Sequence, residues 1–250
     1  IFEHVDVSWF FHDGHAYLLA SALTLAVILG FARLPGVGRV AYAVALVLFH
    51  LMYVTRYSLG EISHGSHFIG MAVLGLAIAD LAMPSQMRER FTLGFLFFFY
   101  GIAYTSAGFC KLIGSGLGWA DGRHLALWLG ERTVDIGSTF GSFEPNALQR
   151  VLVAHPALAT AVLAFGLLAE LGGVALWLRR TRPYAATALI AMHVGVELSL
   201  GIWFGHNIYA LLAIAYPWGP AIDRALVAFD RSGLAAASRS SSDRPASLGH

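Results

Sequence analysis

Six stretches of the chain are apolar for long enough to read as helices that cross a bilayer. They are Ala16–Ala32, Val40–Thr55, His67–Met83, Phe91–Ile113, Pro156–Leu178 and Pro183–Phe204. A spanning helix needs about 20 mostly apolar residues. No stretch alternates polar and apolar positions as a membrane barrel strand would. A seventh apolar stretch, Asn207–Trp218, is short and is ended by Pro217 and Pro220, which predicts a short final span or a re-entrant helix. Chain breakers fall between the stretches, at Pro35-Gly36, at Met83-Pro84-Ser85 and at Arg179-Arg180-Thr181-Arg182-Pro183. The segment Gly114–His155 mixes charged residues with Trp119, Trp128 and Phe143, and predicts an ordered interfacial loop with a short amphipathic helix. The expected architecture is all-α: a polytopic transmembrane helix bundle of six long spans plus the short final or re-entrant helix. It occupies residues 1–231, and the Ser-, Ala- and Arg-rich residues 232–250 read as a disordered tail.

Composition sharpens this picture. The 250 residues are 57% hydrophobic and 12% charged, with a mean hydropathy of +0.66. A soluble domain is roughly 45–50% apolar and about 25% charged, so a soluble globular enzyme is excluded. A net charge of +1 gives no basic footprint for nucleic acid. The lone Cys110 excludes a disulfide framework within the chain and a cysteine-based zinc site. Residues 1–15 carry Asp6, His12, Asp13 and His15, which a signal-peptide core would not tolerate, and the first residue, Ile1, suggests a fragment or a processed chain. Basic residues in short connections set orientation. Arg33 and Arg39, Arg88 and Arg90, and Arg179, Arg180 and Arg182 lie in the first, third and fifth connections. These connections are expected on the cytoplasmic side of a bacterial-type inner or plasma membrane. Residues 1–15 and 114–155 are then extracytoplasmic.

Ionisable residues inside spans are costly and normally face the bundle interior. The spans carry His50, Asp80, Glu170, His193 and Glu197, with Glu61, His64, His67, Lys111 and His206 near their ends. The expected orientation puts many of these toward the outer side, as if they lined a polar chamber opening there. Each also has a plainer reading. Lys111 can snorkel to the interface, His50 can be a satisfied core histidine, and Glu170 can hydrogen-bond a neighbouring helix. His193 and Glu197 are one turn apart on one helical face, which favours a site.

The stretch Tyr104-Thr-Ser-Ala-Gly-Phe-Cys-Lys111-Leu, followed by Trp119-Ala-Asp-Gly122, resembles a motif of the HTTM family, whose membrane domain is shared with the vitamin K-dependent gamma-carboxylases. Ser66-His67 resembles the family's Asn-His, with serine for asparagine. Phe165-Gly-Leu-Leu-Ala-Glu170-Leu resembles its acidic helix, and Met192-His193 with Gly201-Ile-Trp-Phe204 and Asn207 resembles its last helices. Order and spacing agree over roughly residues 1–220. In the family a further helix precedes the segment matching Ala16, which fits a cut N-terminus.

The resemblance implies a chemistry. The lysine at the position of Lys111 acts as base on vitamin K hydroquinone, and reaction with O2 gives the epoxide and a base strong enough for CO2-dependent carboxylation of a glutamate. An amine in an apolar pocket is a credible general base, because low dielectric disfavours its charged form. A prenylated quinol can enter from membrane lipid, and the chamber limits water. On this reading Lys111, His67 and His193 are the catalytic candidates. Trp119, Glu197, His50 and Glu170 are the substrate-binding candidates, with Trp119 over the quinol ring and Glu197 fixing the tautomer of His193. Two departures bear on the activity. Where the carboxylases have a second Asn-His, this chain reads Met83-Pro84-Ser85-Gln86, and nothing here corresponds to their large extracytoplasmic substrate-binding domain. A quinol-using enzyme with a different or smaller substrate is the expectation.

Two alternatives stay open. Glu61-x-x-His64-x-x-His67 with His50, His193 and Glu197 has donors for iron or zinc, which would make a metal-dependent membrane oxidoreductase. A non-catalytic quinone- or lipid-binding partner of a redox protein is the other. For it, Gly166, Gly172 and Gly173 could permit close helix contact, though they are equally compatible with internal packing.

Overall fold

The computed structural model describes residues 9, 12, 14–34, 36–58, 64–142, 144–220, 222–224 and 226–227, with only the backbone at 55–58 and 64–66. Glu61, the His64 side chain, most of the segment 1–15 and the expected tail at 232–250 therefore lie outside the described residues. Every described element is helical. In chain order they are α1 (His15–Phe31), α2 (Gly38–Ser58), α3 (His64–Ala82), α4 (Arg88–Ser115), a 3-10 turn (Gly116–Ala120), α5 (Gly122–Phe140), α6 (Ala147–Ala154), α7 (Pro156–Leu171), a second 3-10 stretch (Gly172–Trp177), α8 (Arg182–Leu200) and α9 (Gly205–Ala215).

The expected spans coincide with helices, but length separates them. Three described helical segments, Arg88–Ala120, Pro156–Trp177 and Arg182–Leu200, are long and apolar enough to cross a membrane, rather than the six expected. The others, His15–Phe31, Gly38–Val54, His67–Ala82 and Gly205–Ala215, are apolar but shorter over their described residues. Large apolar side chains such as Tyr17, Phe31, Phe98, Phe109 and Leu168 face outward. Exposed apolar surface on this scale suits lipid better than water.

Sequence neighbours pack together along the first half: α1 on α2, α2 on α3, and α3 on α4. Small residues set these seams. A Cβ at Gly30 would fall 2.8 Å from the Tyr42 ring, and one at Gly75 would fall 2.7 Å from Phe95. Ala26, Ala45 and Val73 form the buried centre of this half. At the turn after α3, Arg88 donates to the Asp80 carboxylate at 3.3 Å and to the Met83 carbonyl at 3.2 Å. The buried Asp80 is thus paired across the Pro84 break.

The segment after α4 holds more helix than the single short one expected. Asp121 caps α5 by accepting from the Arg123 backbone N–H at 2.9 Å. Asn146 and Gln149 form a reciprocal capping box at α6. Ala120, Leu125, Leu129, Leu152, Ala159 and Leu163 then build a second core, which binds α5 and α6 to α7. Gly122 makes the closest approach. Its N–H donates to Thr160 Oγ1 at 2.9 Å. A Cβ there would collide with the Pro156 carbonyl and lie 2.8 Å from the Thr160 nitrogen. Gly122→Ala is expected to cost about 1–3 kcal/mol, because backbone cannot yield as a side chain can; thermal unfolding in detergent measures this.

The Asp121 cap carries its own pH signature. Hydrogen bonds from the Arg123 side chain and backbone hold the Asp121 carboxyl down to about 2, from the usual 3.8. A depressed carboxyl stabilises the fold fully above its unfolded value, and that contribution fades as pH falls through the folded value. The melting difference between wild type and Asp121→Asn is therefore expected to be constant above pH about 4, and to vanish on acidification to about 2. A difference that disappears near neutrality would contradict the cap.

Chain contacts divide the protein into two units, Ile1–Ile214 and Ala215–His250. In the second, helical turns cover 218–220 and 222–224, and Arg224 donates to the Pro220 carbonyl at 3.0 Å.

Candidate functional site

Close approach of α4 to the end of α7 creates the site. Cβ atoms at Gly101, Gly108 and Gly173 would strike Trp177, Leu171 and Tyr104 respectively, so these glycines let the two segments touch. Gly173 is thereby used in internal packing, whereas a Cβ at Gly172 would meet nothing. Where α7 tightens into its 3-10 stretch, Thr105 Oγ1 accepts from Val174 N–H at 2.9 Å and donates to the Leu171 carbonyl at 3.3 Å. Arg182 closes the far end of that stretch, donating to the Leu176 carbonyl at 2.9 Å and lying over the Phe97 ring.

This packing brings Lys111 of α4 to Glu170 of α7. Nζ donates to both carboxylate oxygens at 2.5 Å. The Glu170 side chain is 9% exposed and that of Lys111 29%. The pair is neutral as a whole, so apolar surroundings tolerate it better than either charge alone. On its other side Nζ stands 4.6 Å from the Trp119 ring centroid, within cation–π range. Trp119 in turn lies beside Trp128, their ring centroids 5.7 Å apart. Trp119 therefore packs on the amine itself.

Lys111, Glu170, Trp119, His67 and His193 all line one cavity of about 710 Å³, whose remaining wall is mainly aromatic and aliphatic. Five of the seven candidates named from sequence thus come together. His50 does not join them: it lines a neighbouring cavity of about 380 Å³ with Tyr53, and that cavity shares His67 and Phe99 with the first. His67 stands at this junction, its Nε2 3.2 Å from the Tyr53 hydroxyl. Glu197 is not among the lining residues of either cavity, and its Oε2 is buried without a hydrogen-bond partner.

The expected Glu197 contact to His193 is also replaced. His193 Nε2 is 2.7 Å from the Tyr104 hydroxyl and 3.5 Å from Asn207 Nδ2, while Nδ1 has no partner. Asn207 also donates to the Tyr104 hydroxyl, at 3.2 Å. An i, i+4 spacing puts two side chains on one face but leaves their rotamers free, and here the tertiary partners from α4 and α9 fix the imidazole. Tyr104 and Asn207 enter the sequence reading only as members of the resembling stretches, without a role, because neither carries charge. The available signal is spacing: Tyr104 precedes Lys111 by seven residues, two turns on the same face of α4.

Among the described residues no three His, Cys, Asp or Glu side chains are grouped to hold an ion. Two of the proposed ligands, Glu61 and the His64 side chain, fall outside them. Cys110 is exposed. No family model, curated protein or solved structure matches the chain.

Proposed function

We propose that this chain is an integral membrane enzyme that activates a vitamin-K-like hydroquinone with the amine of Lys111. In this reading α1, α2 and α3 complete a six-span bundle, and the site faces the extracytoplasmic side. The basic connections support that orientation, since Arg88 begins α4 and Lys111 lies near its opposite end. The observation that carries the proposal is the cavity: about 710 Å³, largely apolar, with one amine and one carboxylate in contact at its wall. Pockets of roughly 300–1,000 Å³ with a few placed polar groups are what small-molecule sites look like. The resemblance around Lys111 and Trp119 points to a quinol as the occupant.

The chain's residues divide the work as follows. Lys111 accepts the quinol hydroxyl proton, and to do so it must first be neutral. Glu170 supplies that step: a proton passed across the Lys111–Glu170 contact leaves an amine beside a carboxylic acid and creates no net charge. Trp119 and Trp128 shield the amine. His67 hydrogen-bonds a ligand oxygen, and His193 acts through the Tyr104 hydroxyl that it holds. The walls limit water, which would quench a strong base. A bound quinol supplies the electrons that reduce O2 and is itself converted to an epoxide, and CO2-dependent carboxylation of a small acceptor is the coupled reaction.

Incubating the purified protein with reduced naphthoquinol in air and assaying epoxide chromatographically tests this. Epoxide formation above the protein-free rate is the expected result. Oxygen uptake and epoxide both at the protein-free rate would overturn it.

A further inference from the structure

We infer that Tyr104 reads the oxidation state of the ligand, selecting a hydroxyl-bearing aromatic diol over the corresponding dione; this rests on the quinol reading above. A tyrosine hydroxyl has one proton to donate and two lone pairs to accept with. Asn207 Nδ2 donates to the Tyr104 oxygen at 3.2 Å and also stands 3.5 Å from His193 Nε2. With the Asn207 nitrogen on this side, a proton on Nε2 would face that amide N–H; Nε2 is therefore assigned as the acceptor, and the hydrogen falls on Nδ1, which is buried without a partner. The Tyr104 proton is then committed to His193 at 2.7 Å. One lone pair is taken by Asn207, and the other is the only group Tyr104 has left.

Tyr104, His193 and Asn207 all line the cavity, so a ligand at that end would meet the remaining lone pair. Its position is tightly held. Phe68 stacks on its ring, with centroids 5.6 Å apart, and a Cβ at Gly173 would lie 2.7 Å from Tyr104 Cβ. His193 and Asn207 are 5% and 3% exposed, so water does not readily replace either. Two turns of α4, about 10 Å, separate Tyr104 from Lys111 on one face. Side chains on one helix lean the same way, toward its N-terminus, so that spacing is kept. A flat diol with hydroxyls at opposite ends can meet both. A dione brings only acceptors and would face the Tyr104 lone pair with another one. One hydrogen bond made or lost corresponds to about tenfold in affinity.

Anaerobic equilibrium binding of naphthohydroquinone and naphthoquinone to the detergent-solubilised protein tests this. Wild type is expected to bind the diol about tenfold more tightly. Tyr104→Phe is expected to lose that preference while keeping its affinity for the dione, which also reports an intact cavity. His193→Phe frees the Tyr104 proton for donation to a carbonyl and is expected to shift preference toward the dione; it decides the matter if the Tyr104→Phe protein binds neither form. A diol preference unchanged in both variants, or absent from wild type that binds both forms, overturns the assignment of Tyr104. Failure of wild type to bind either form overturns the quinol reading instead.

Discussion

Lys111→Ala is expected to lower quinol epoxidation by at least about a hundredfold, the lower end of what a positioned general base contributes. Lys111→Arg is expected to do no better, because a guanidinium keeps its proton at any working pH and cannot take one from a hydroxyl. Quinol binding is expected to survive in Lys111→Ala, since the aromatic walls and the Tyr104 end of the cavity are untouched. Binding and turnover must therefore be measured on the same preparation. Undiminished epoxide formation in both variants would remove Lys111 as the base.

The second large effect concerns stability. Glu170→Leu leaves the Lys111 ammonium without its carboxylate, in a largely apolar wall beside the Trp119 face. Breaking a buried pair from one side costs about 3–5 kcal/mol, and the partial exposure of Lys111 puts this case near the lower end of that range. The double variant Lys111→Met/Glu170→Leu is expected to recover most of that loss, because well-packed apolar residues replace a buried ion pair at little cost. Both proteins are expected to be inactive, which separates folding from chemistry. Unfolding in detergent measures it. A single variant as stable as wild type, or a double variant no better than the single, would contradict a buried, mutually dependent pair.

Ionisable residues in apolar runs stand out because burying them is expensive, so Lys111, Glu170 and His193 are legible from the sequence alone. Their pairing is not: Lys111 and Glu170 are 59 residues apart, and only the glycines at 101, 108 and 173 bring α4 and α7 close enough. The expected fifth span runs on to Leu178, whereas α7 stops at Leu171 and tightens into a 3-10 stretch. A threonine on another helix, Thr105, stabilises that change. The 19-residue α5 exceeds the short helix expected for a similar reason. Gly130, Gly137 and Thr133 dilute its apolar pattern, and its stability comes from the Asp121 cap and from Leu125 and Leu129 buried against α6 and α7. Tyr104 and Asn207 appear in the resembling stretches, but their role is hidden, because an uncharged polar residue among aromatics looks like core until hydroxyl and amide are seen to meet at His193.

If the Lys111 cavity receives a quinol head group, photolabelling will mark its wall. An azido-substituted naphthoquinol, irradiated with the purified protein and mapped by peptide mass spectrometry, is expected to label residues of the cavity wall such as Phe99, Trp119 or Met192, and to be displaced by excess naphthohydroquinone. Label confined to outward-facing residues such as Phe109 and Leu168, or undiminished by the competitor, would contradict it.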